Sequence, residues 1–457
     1  MNGREKRLAV IDNYKFQEGE QGMDKVKIGV LGAGRGAVMM KYCTNAENAS
    51  LVAVCDQSDF FLNSVKKKIG EEDITYYTDF DAFLKHDMDA VVLANYATEH
   101  VPFAIRCMEA GMHVMSEVLP CQTMKEAVEL VEAVEKYGKI YAYAENYCFM
   151  PAPREMKKLY QEGKLGSFEY GEGEYFHNCE GIWAKITQGN PKHWRVNMTA
   201  SYYCTHSIGP LLHITGLRPV RVTGFELPFN ARMERMGAKA GLGAVEMIEL
   251  ENGTIVKSAH GIGISKNSIW FSVYGSKGCA ESARELTDAE DVQMLYTNLD
   301  AYEGENIKKR IEAYKPHDEL SEAASIFGHG GSDYYSMWNF VEKIKGNPKA
   351  DIVDVYEALD MGFTGLLGYE SVLKGGIPID IPNFRNPLER ENYRYDTKCT
   401  DPEKAGNMVI PSYSKGNPTI PQDIYDRIAE EWEKYKKAEE NKDAADVDEQ
   451  SPTSRII

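Results

Sequence analysis

The sequence has no CxxC pair, no internal repeat and no apolar run near the ~18 residues that a membrane-spanning helix needs. Its nine cysteines are scattered singly over 457 residues. An odd count without pairing excludes a disulfide framework and gives no zinc-ligand spacing. It fits reduced thiols, with Cys55 and Cys107 as small core residues. Positive charge is in deficit: 52 Lys and Arg against 70 Asp and Glu leave a net charge of −18. That balance argues against a nucleic-acid or anionic-membrane surface. Residues Met1–Asp24 are polar and lack an apolar h-region, so no secretory signal is expected there. A cytoplasmic protein is expected, with residues 1–24 as an arm ordered against a neighbouring subunit. A hydrophobic content of 43% over this length suits a soluble protein of two or more domains.

What is present is organised around Lys25-Val26-Lys27-Ile28-Gly29-Val30-Leu31-Gly32-Ala33-Gly34-Arg35-Gly36-Ala37, followed by Leu51-Val52-Ala53-Val54-Cys55-Asp56. The pattern predicts strand, tight turn, helix start, then a second strand ending in an acid. Gly32 allows the turn, Gly34 lets backbone approach a pyrophosphate, and Ala37 is small enough for helix to sit on strand. Free N–H groups at the helix start would take the phosphates. Asp56 can accept from both ribose hydroxyls and would repel a 2′-phosphate, so NAD is favoured over NADP.

Alternating strand and helix patterns continue to about residue 148. Ala90–Ala94 is a continuous apolar run, the mark of a central parallel strand. Asn95 and His100 follow its C-terminal end, where ligands sit in open α/β sheets. His113–Glu117 and Ile140–Ala144 are further strands. Beyond 149 the pattern becomes strands joined by hairpins, at Glu251-Asn252-Gly253 and Gly275-Ser276-Lys277-Gly278. The fold class expected is α/β: a doubly wound Rossmann domain over 25–148, then an α+β domain over 149–390 with an open, largely antiparallel sheet. Such a sheet leaves a face to cover, so a homo-oligomer, dimer or tetramer, is expected. Residues 391–457 form an extension: Asp423–Lys437 is predicted helical, Ala438–Ile457 disordered.

Chemistry-bearing residues concentrate in a few motifs: Glu117-Val118, Glu145-Asn146, Tyr175-Phe176-His177, Trp194-Arg195, Tyr203-Cys204-Thr205-His206 and His329-Gly330-Gly331 with Asp333. With the glycine turn and Asn95…His100, this order resembles the glucose–fructose oxidoreductase/inositol dehydrogenase (Gfo/Idh/MocA) family over residues 25–385. The simple dehydrogenases of that family carry Glu-Lys-Pro where this chain has Glu117-Val118-Leu119-Pro120. Valine can neither exchange a proton nor donate a hydrogen bond. They also carry an Asp four residues before a His, where this chain has Tyr202 before His206. The departures resemble a subgroup, the NAD-dependent α-N-acetylgalactosaminidases among the glycoside hydrolases. The resemblance implies a cofactor site at Gly32, Gly34, Arg35, Gly36, Ala37, Asp56, Asn95, His100, Glu117 and Val118. It implies catalytic roles for Glu145, Tyr175, His177, Tyr203 and His206, acting on a sugar or glycoside.

The residues suit that chemistry on their own account. Oxidising a sugar at C3 acidifies the C2 proton, and a base can then expel the C1 group. His206 and His177 suit proton transfer near neutrality. Tyr203 lies three residues before His206, which on a helix puts both on one face. Tyr175 and His177 share one face of a strand. Glu145 can orient a histidine or bind hydroxyls. His193, Trp194, Arg195 and His329 are weaker candidates for substrate contact, and His213 is expected to pack a helix. Glu145, His177 and His206 have no local metal spacing, so no metal is expected. A conventional sugar or inositol dehydrogenase, and an NAD-binding sensor, are the competing readings.

Overall fold

The structure is a computed structural model that describes residues 25–70, 73–284, 294–303 and 306–449. The expected arm at 1–24 and the last residues, 450–457, lie outside the described residues.

Six strands form the first sheet: β1 (Val26–Leu31), β2 (Ala49–Cys55), β3 (Thr75–Tyr77), β4 (Ala90–Leu93), β5 (His113–Ser116) and β6 (Tyr141–Tyr143). Their order is β3-β2-β1-β4-β5-β6 and every pairing is parallel. Val26, Ile28 and Val30 are fully buried, because helices cover both faces of a parallel sheet. The chain reverses direction between β1 and β4, and the crevice at that point is where such sheets take ligands.

The second sheet has nine strands: β7 (Phe168–Phe176), β8 (Pro219–Glu226), β9 (Ala244–Leu250), β10 (Ile255–Gly261), β11 (Ser268–Gly275), β12 (Gly278–Ser282), β13 (Leu295–Glu303), β14 (Asn306–Tyr314) and β15 (Ile379–Asp380). Only β7 and β10 pair in parallel; the order is β14-β13-β12-β11-β7-β10-β9-β8-β15. Both expected hairpins are present, between β9 and β10 and between β11 and β12. Strands β13 and β14 go beyond the sequence reading. The inner face of β13 buries Leu295 but also the polar Thr297, and β14 carries exposed Lys308, Lys309 and Arg310 where the sheet runs out from the core, so the hydrophobic periodicity is weak.

One face of this sheet packs on the helices Thr205–Thr215 and Val355–Leu373. Its other face carries Met247, Tyr274 and Tyr296, each more than a third exposed. Helix Thr205–Thr215 is buried on all sides, with Ile208 and Leu211 fully enclosed. It lies between the second sheet and the turn that leaves β6, and so joins the two halves.

The C-terminal extension ties both halves together. Lys125 donates from its backbone N–H to the Asp396 carbonyl, and Arg394 pairs with Glu132. On the other side Ser412 Oγ donates to the Asn197 carbonyl at 2.6 Å, and Tyr369 donates to the Pro411 carbonyl. The closing helix runs Gln422–Glu449. This corrects the expectation of disorder from Ala438. Alanine, glutamate and lysine are strong helix formers and carry the helix on without an apolar stripe.

Candidate active site

The glycine turn departs in one detail from the sequence reading. The helix starts at Ala37, and Ala37 is exposed. Gly36 is the buried position: a Cβ there would strike the Gly32 carbonyl and Val30. Gly36, not Ala37, permits the close packing. Gly34 is open, its nearest neighbour for an added Cβ being the Phe61 ring at 3.7 Å. No side chain caps the helix Ala37–Asn45, and while the Ala37 N–H bonds the Gly34 carbonyl, the next N–H groups remain for an anion. Asp56 accepts from the backbone N–H groups of Ala33 and Ser58, both at 2.7 Å. It therefore braces the turn, with the remaining lone pairs left for ribose hydroxyls. These features fit a dinucleotide.

The other expected cofactor residues divide. Arg35 turns away from the helix end, its Nη2 lying 2.8 Å from Glu117 Oε1 and 2.8 Å from Asp333 Oδ1. Burial pushes the Glu117 carboxyl up, with Arg35 pulling against it. Val118 is buried in the core beside it. His100 does not face the crevice. It is enclosed, with Nδ1 on the Leu119 carbonyl and Nε2 on the Asn95 carbonyl, and burial lowers it to about 4. Its role is to hold the ends of β4 and β5 together. Asn95 Nδ2 donates to Glu99, and its buried Oδ1 has no partner.

Beyond the crevice an aromatic and carboxylate cluster forms around His206. Its Nδ1 donates to Glu145 Oε1 at 2.6 Å. Glu145 leaves the end of β6 and is fully buried, with Oε2 unpartnered. A carboxylate on one ring nitrogen fixes the tautomer and leaves Nε2 as the base. The approach is tight: a Cβ on Gly209 would lie 2.9 Å from Glu145 Cγ. Tyr147, Tyr175 and Tyr203 surround the imidazole, with ring centroids at 4.4, 4.6 and 5.0 Å. Tyr203 is not on the helix as expected. It precedes the Cys204 cap, yet its ring meets His206 edge to face.

Tyr175 stacks on His177 at the end of β7. Burial, reinforced by His206, Arg195 and His329, pushes His177 down, which favours its neutral form. Burial also drives the Tyr175 hydroxyl well above its ordinary value, so it remains a phenol. Arg195 Nη2 donates to Tyr203 Oη at 3.2 Å, and its guanidinium lies over the Tyr203 ring. Among the described residues no carboxylate pairs with Arg195. A half-buried cation of that kind suits a developing oxyanion or a phosphate.

Asp333 joins the cluster to the glycine turn. It accepts from Arg35 Nη2, from Asn146 Nδ2 at 3.2 Å and from His329 Nδ1 at 2.8 Å. Burial alone would raise its carboxyl, but His329 and Arg35 hold it at about 2. His329 adopts φ 53°, a left-handed conformation unusual for histidine. Tyr147 was not a candidate from sequence; its signal was its place two residues past Glu145, at the same strand end. His193 and Trp194 lie apart from the cluster. His193 caps the short helix Trp194–Asn197, accepting from Arg195 N–H, stacks on Trp194 and meets Tyr96 edge to face. Tyr202, at the position of the missing Asp, donates to the Cys121 carbonyl instead.

Residues 26–145 match the oxidoreductase family with an NAD-binding Rossmann fold, and residues 229–388 match the C-terminal domain of glycosyl hydrolase 109. The first domain is thus similar to the NAD-binding domain of the Gfo/Idh/MocA oxidoreductases, and the second to the C-terminal domain of glycosyl hydrolase 109. The chain is 26% identical over 390 residues to an alpha-N-acetylgalactosaminidase of Tannerella forsythia, covering 73% of this chain and 80% of that protein. It is 25% identical over 396 residues to a glycosyl hydrolase family 109 protein of Saccharopolyspora erythraea, covering 79% and 83%. In fold it is similar to a levoglucosan dehydrogenase solved with NADH and L-sorbose, at TM-score 0.63 and 18% identity, covering 79% of this chain and 100% of that one. The chain is an NAD-dependent enzyme, and the glycine turn and Asp56 lie within the matched NAD-binding span. No described helix is long and apolar enough to cross a membrane.

Proposed function

We propose that the enzyme cleaves or oxidises glycosides through a 3-keto sugar. The observation that carries this reading is the His206–Glu145 pair ringed by Tyr147, Tyr175 and Tyr203. Bound NAD, held at the glycine turn and Asp56, would supply reversible hydride acceptance for C3 of the sugar. The chain supplies the proton chemistry. His206 Nε2 removes the C2 proton made acidic by the C3 ketone, with Glu145 stabilising the imidazolium. Arg195, through its bond to Tyr203, and the phenol of Tyr175 offer donors to the enolate oxygen. The C1–O bond then breaks, the leaving oxygen takes a proton from a tyrosine hydroxyl, and water adds across the double bond. Summed with hydride return, the reaction is a hydrolysis without net oxidation. Val118 supports this over the conventional dehydrogenase, whose family pattern places a proton-handling lysine there.

The test is turnover of aryl glycosides in D2O, beginning with α-N-acetylgalactosaminides because relatives bear that name. Deuterium at C2 of the product together with released phenol supports the reading. Stoichiometric NADH from free sugars without leaving-group release would replace it with the dehydrogenase. The exposed Met247, Tyr274 and Tyr296 on the outer face of the second sheet support a homo-oligomer, which light scattering tests.

A further inference from the structure

A second cavity lies on the far side of the segment that carries Arg195 and Tyr203. It measures about 690 Å3, within the range of small-molecule sites. Neither the glycine turn nor Asp56, Glu117, Glu145 or His206 lines it. Its floor is formed by residues 122–124 and by the 190–202 segment; its outer wall is residues 396–403 of the C-terminal extension. That wall falls outside both family matches, which end at residue 388. It is held in place from both sides, by the backbone of Lys125 on Asp396 and by Lys404 on the Thr98 carbonyl.

The lining has the chemistry of a carbohydrate site. Tyr96, Trp194 and Tyr202 supply aromatic surface. Gln122 is 6% exposed, and its Oε1 is buried without a hydrogen-bond partner. Buried amide oxygens are almost always satisfied, and this one, closed off from the cavity as it stands, meets a donor only when the Gln122 side chain turns toward a ligand. His193 supplies the converse. Its Nδ1 accepts from Arg195 N–H, which leaves Nε2–H to donate. Burial lowers His193 to about 3, so it is neutral. Carboxylates outnumber lysines around the cavity, and Lys398 is already paired with Asp396 and Glu370. An anionic ligand is therefore disfavoured.

We propose that this cavity, walled by the C-terminal extension, is a second binding site for a neutral, hydroxyl-rich sugar, separate from the His206 centre. Aromatic platforms take the C–H face of a pyranose, His193 donates to its hydroxyls, and Gln122 accepts from them once its side chain turns into the cavity. The proposal goes beyond the catalytic reading and does not depend on which bond the enzyme cleaves.

Calorimetry on the full-length, NAD-loaded protein tests it, with methyl α-N-acetylgalactosaminide, methyl α-galactoside and lactose as probes. The expected result is saturable binding that remains in His206→Ala and falls at least tenfold in Thr400→Trp, which fills the cavity from its exposed wall. Gln122→Leu, which keeps volume and removes the acceptor, should weaken it in the same direction. Aryl glycoside turnover should persist in Thr400→Trp. No saturable binding by roughly 10 mM of any probe, a range in which millimolar sites are detected, overturns the proposal. So does binding that Thr400→Trp and Gln122→Leu leave unchanged. Either failure can occur with turnover intact, so it leaves the catalytic reading standing.

Discussion

One buried helix, Thr205–Thr215, carries two histidines with opposite fates. His206 and His213 are 6% and 4% exposed, and each meets a glutamate. His213 has both ring nitrogens occupied: Nδ1 lies 2.9 Å from Glu357 and Nε2 3.2 Å from Asp351. Lys157 closes that group with two bonds to Asp351. Burial works against the His213 charge, but Glu357 and Asp351 outweigh it and raise it to about 9. Lys157, 2.8 Å from Nε2, opposes the charge but the two carboxylates favour it, and the ring has no nitrogen to spare. His206 has one carboxylate, one unassigned nitrogen and a wall of tyrosines. A saturated histidine supports structure, whereas a histidine with one nitrogen committed can exchange a proton.

The largest effect that sharpens this contrast is loss of the base. His206→Ala should reduce turnover at least about 10^3-fold, in the range of a general base, while NAD still binds by fluorescence titration. Glu145→Gln should cost less, because the imidazole stays placed but loses the charge opposite it. If Glu145→Gln shifts no limb of the pH–rate profile, Glu145 is a structural partner like Glu357, and the contrast breaks.

The second effect is on stability. His213→Gln removes a cation from between two carboxylates and should cost about 2–3 kcal/mol in urea unfolding, the scale of hydrogen bonds to charged groups. The remaining folded protein should keep its turnover. The pH dependence has a definite sign. The folded value near 9 exceeds the unfolded value of about 6.5, so this contribution is complete below about pH 6.5. It is lost as pH rises through 9. Wild type should lose about 3 kcal/mol relative to His213→Gln across that window. Parallel stability curves for the two proteins would show that His213 is neutral in the fold.

The same contrast explains what was legible in the sequence. The parallel sheet was legible because a strand buried on both faces is written as an unbroken apolar run, as in Ala90–Leu93. The hairpin at Glu251–Gly253 was legible from its turn residues. Strands β13 and β14 were not, because Thr297 stands among the buried positions of β13 and Lys308, Lys309 and Arg310 interrupt the apolar residues of the edge strand β14. His206 and Tyr203 stood out through their motif, but their meeting depends on the Cys204 turn rather than on helical spacing. His193 and Trp194 sat next to Arg195 in sequence, yet a helix of four residues turns them to a different cavity. His213 was taken for packing because its three partners come from 56 to 144 residues away.

The smallest effect concerns the support of the dinucleotide crevice. Trp432, in the closing helix, packs on Phe60 and Phe61 with ring centroids at 5.4 and 6.0 Å. Phe61 is in turn the neighbour of Gly34. The C-terminal helix thus buttresses one wall of the cofactor site from outside, as the Glu357 and Asp351 group holds one end of the central helix. Trp432→Ala should raise the NAD dissociation constant roughly threefold, about 0.7 kcal/mol, and leave turnover at saturating NAD unchanged. A fall in that saturated rate would mean that Trp432 reaches the His206 cluster, and the division between supporting and reacting regions would have to be redrawn.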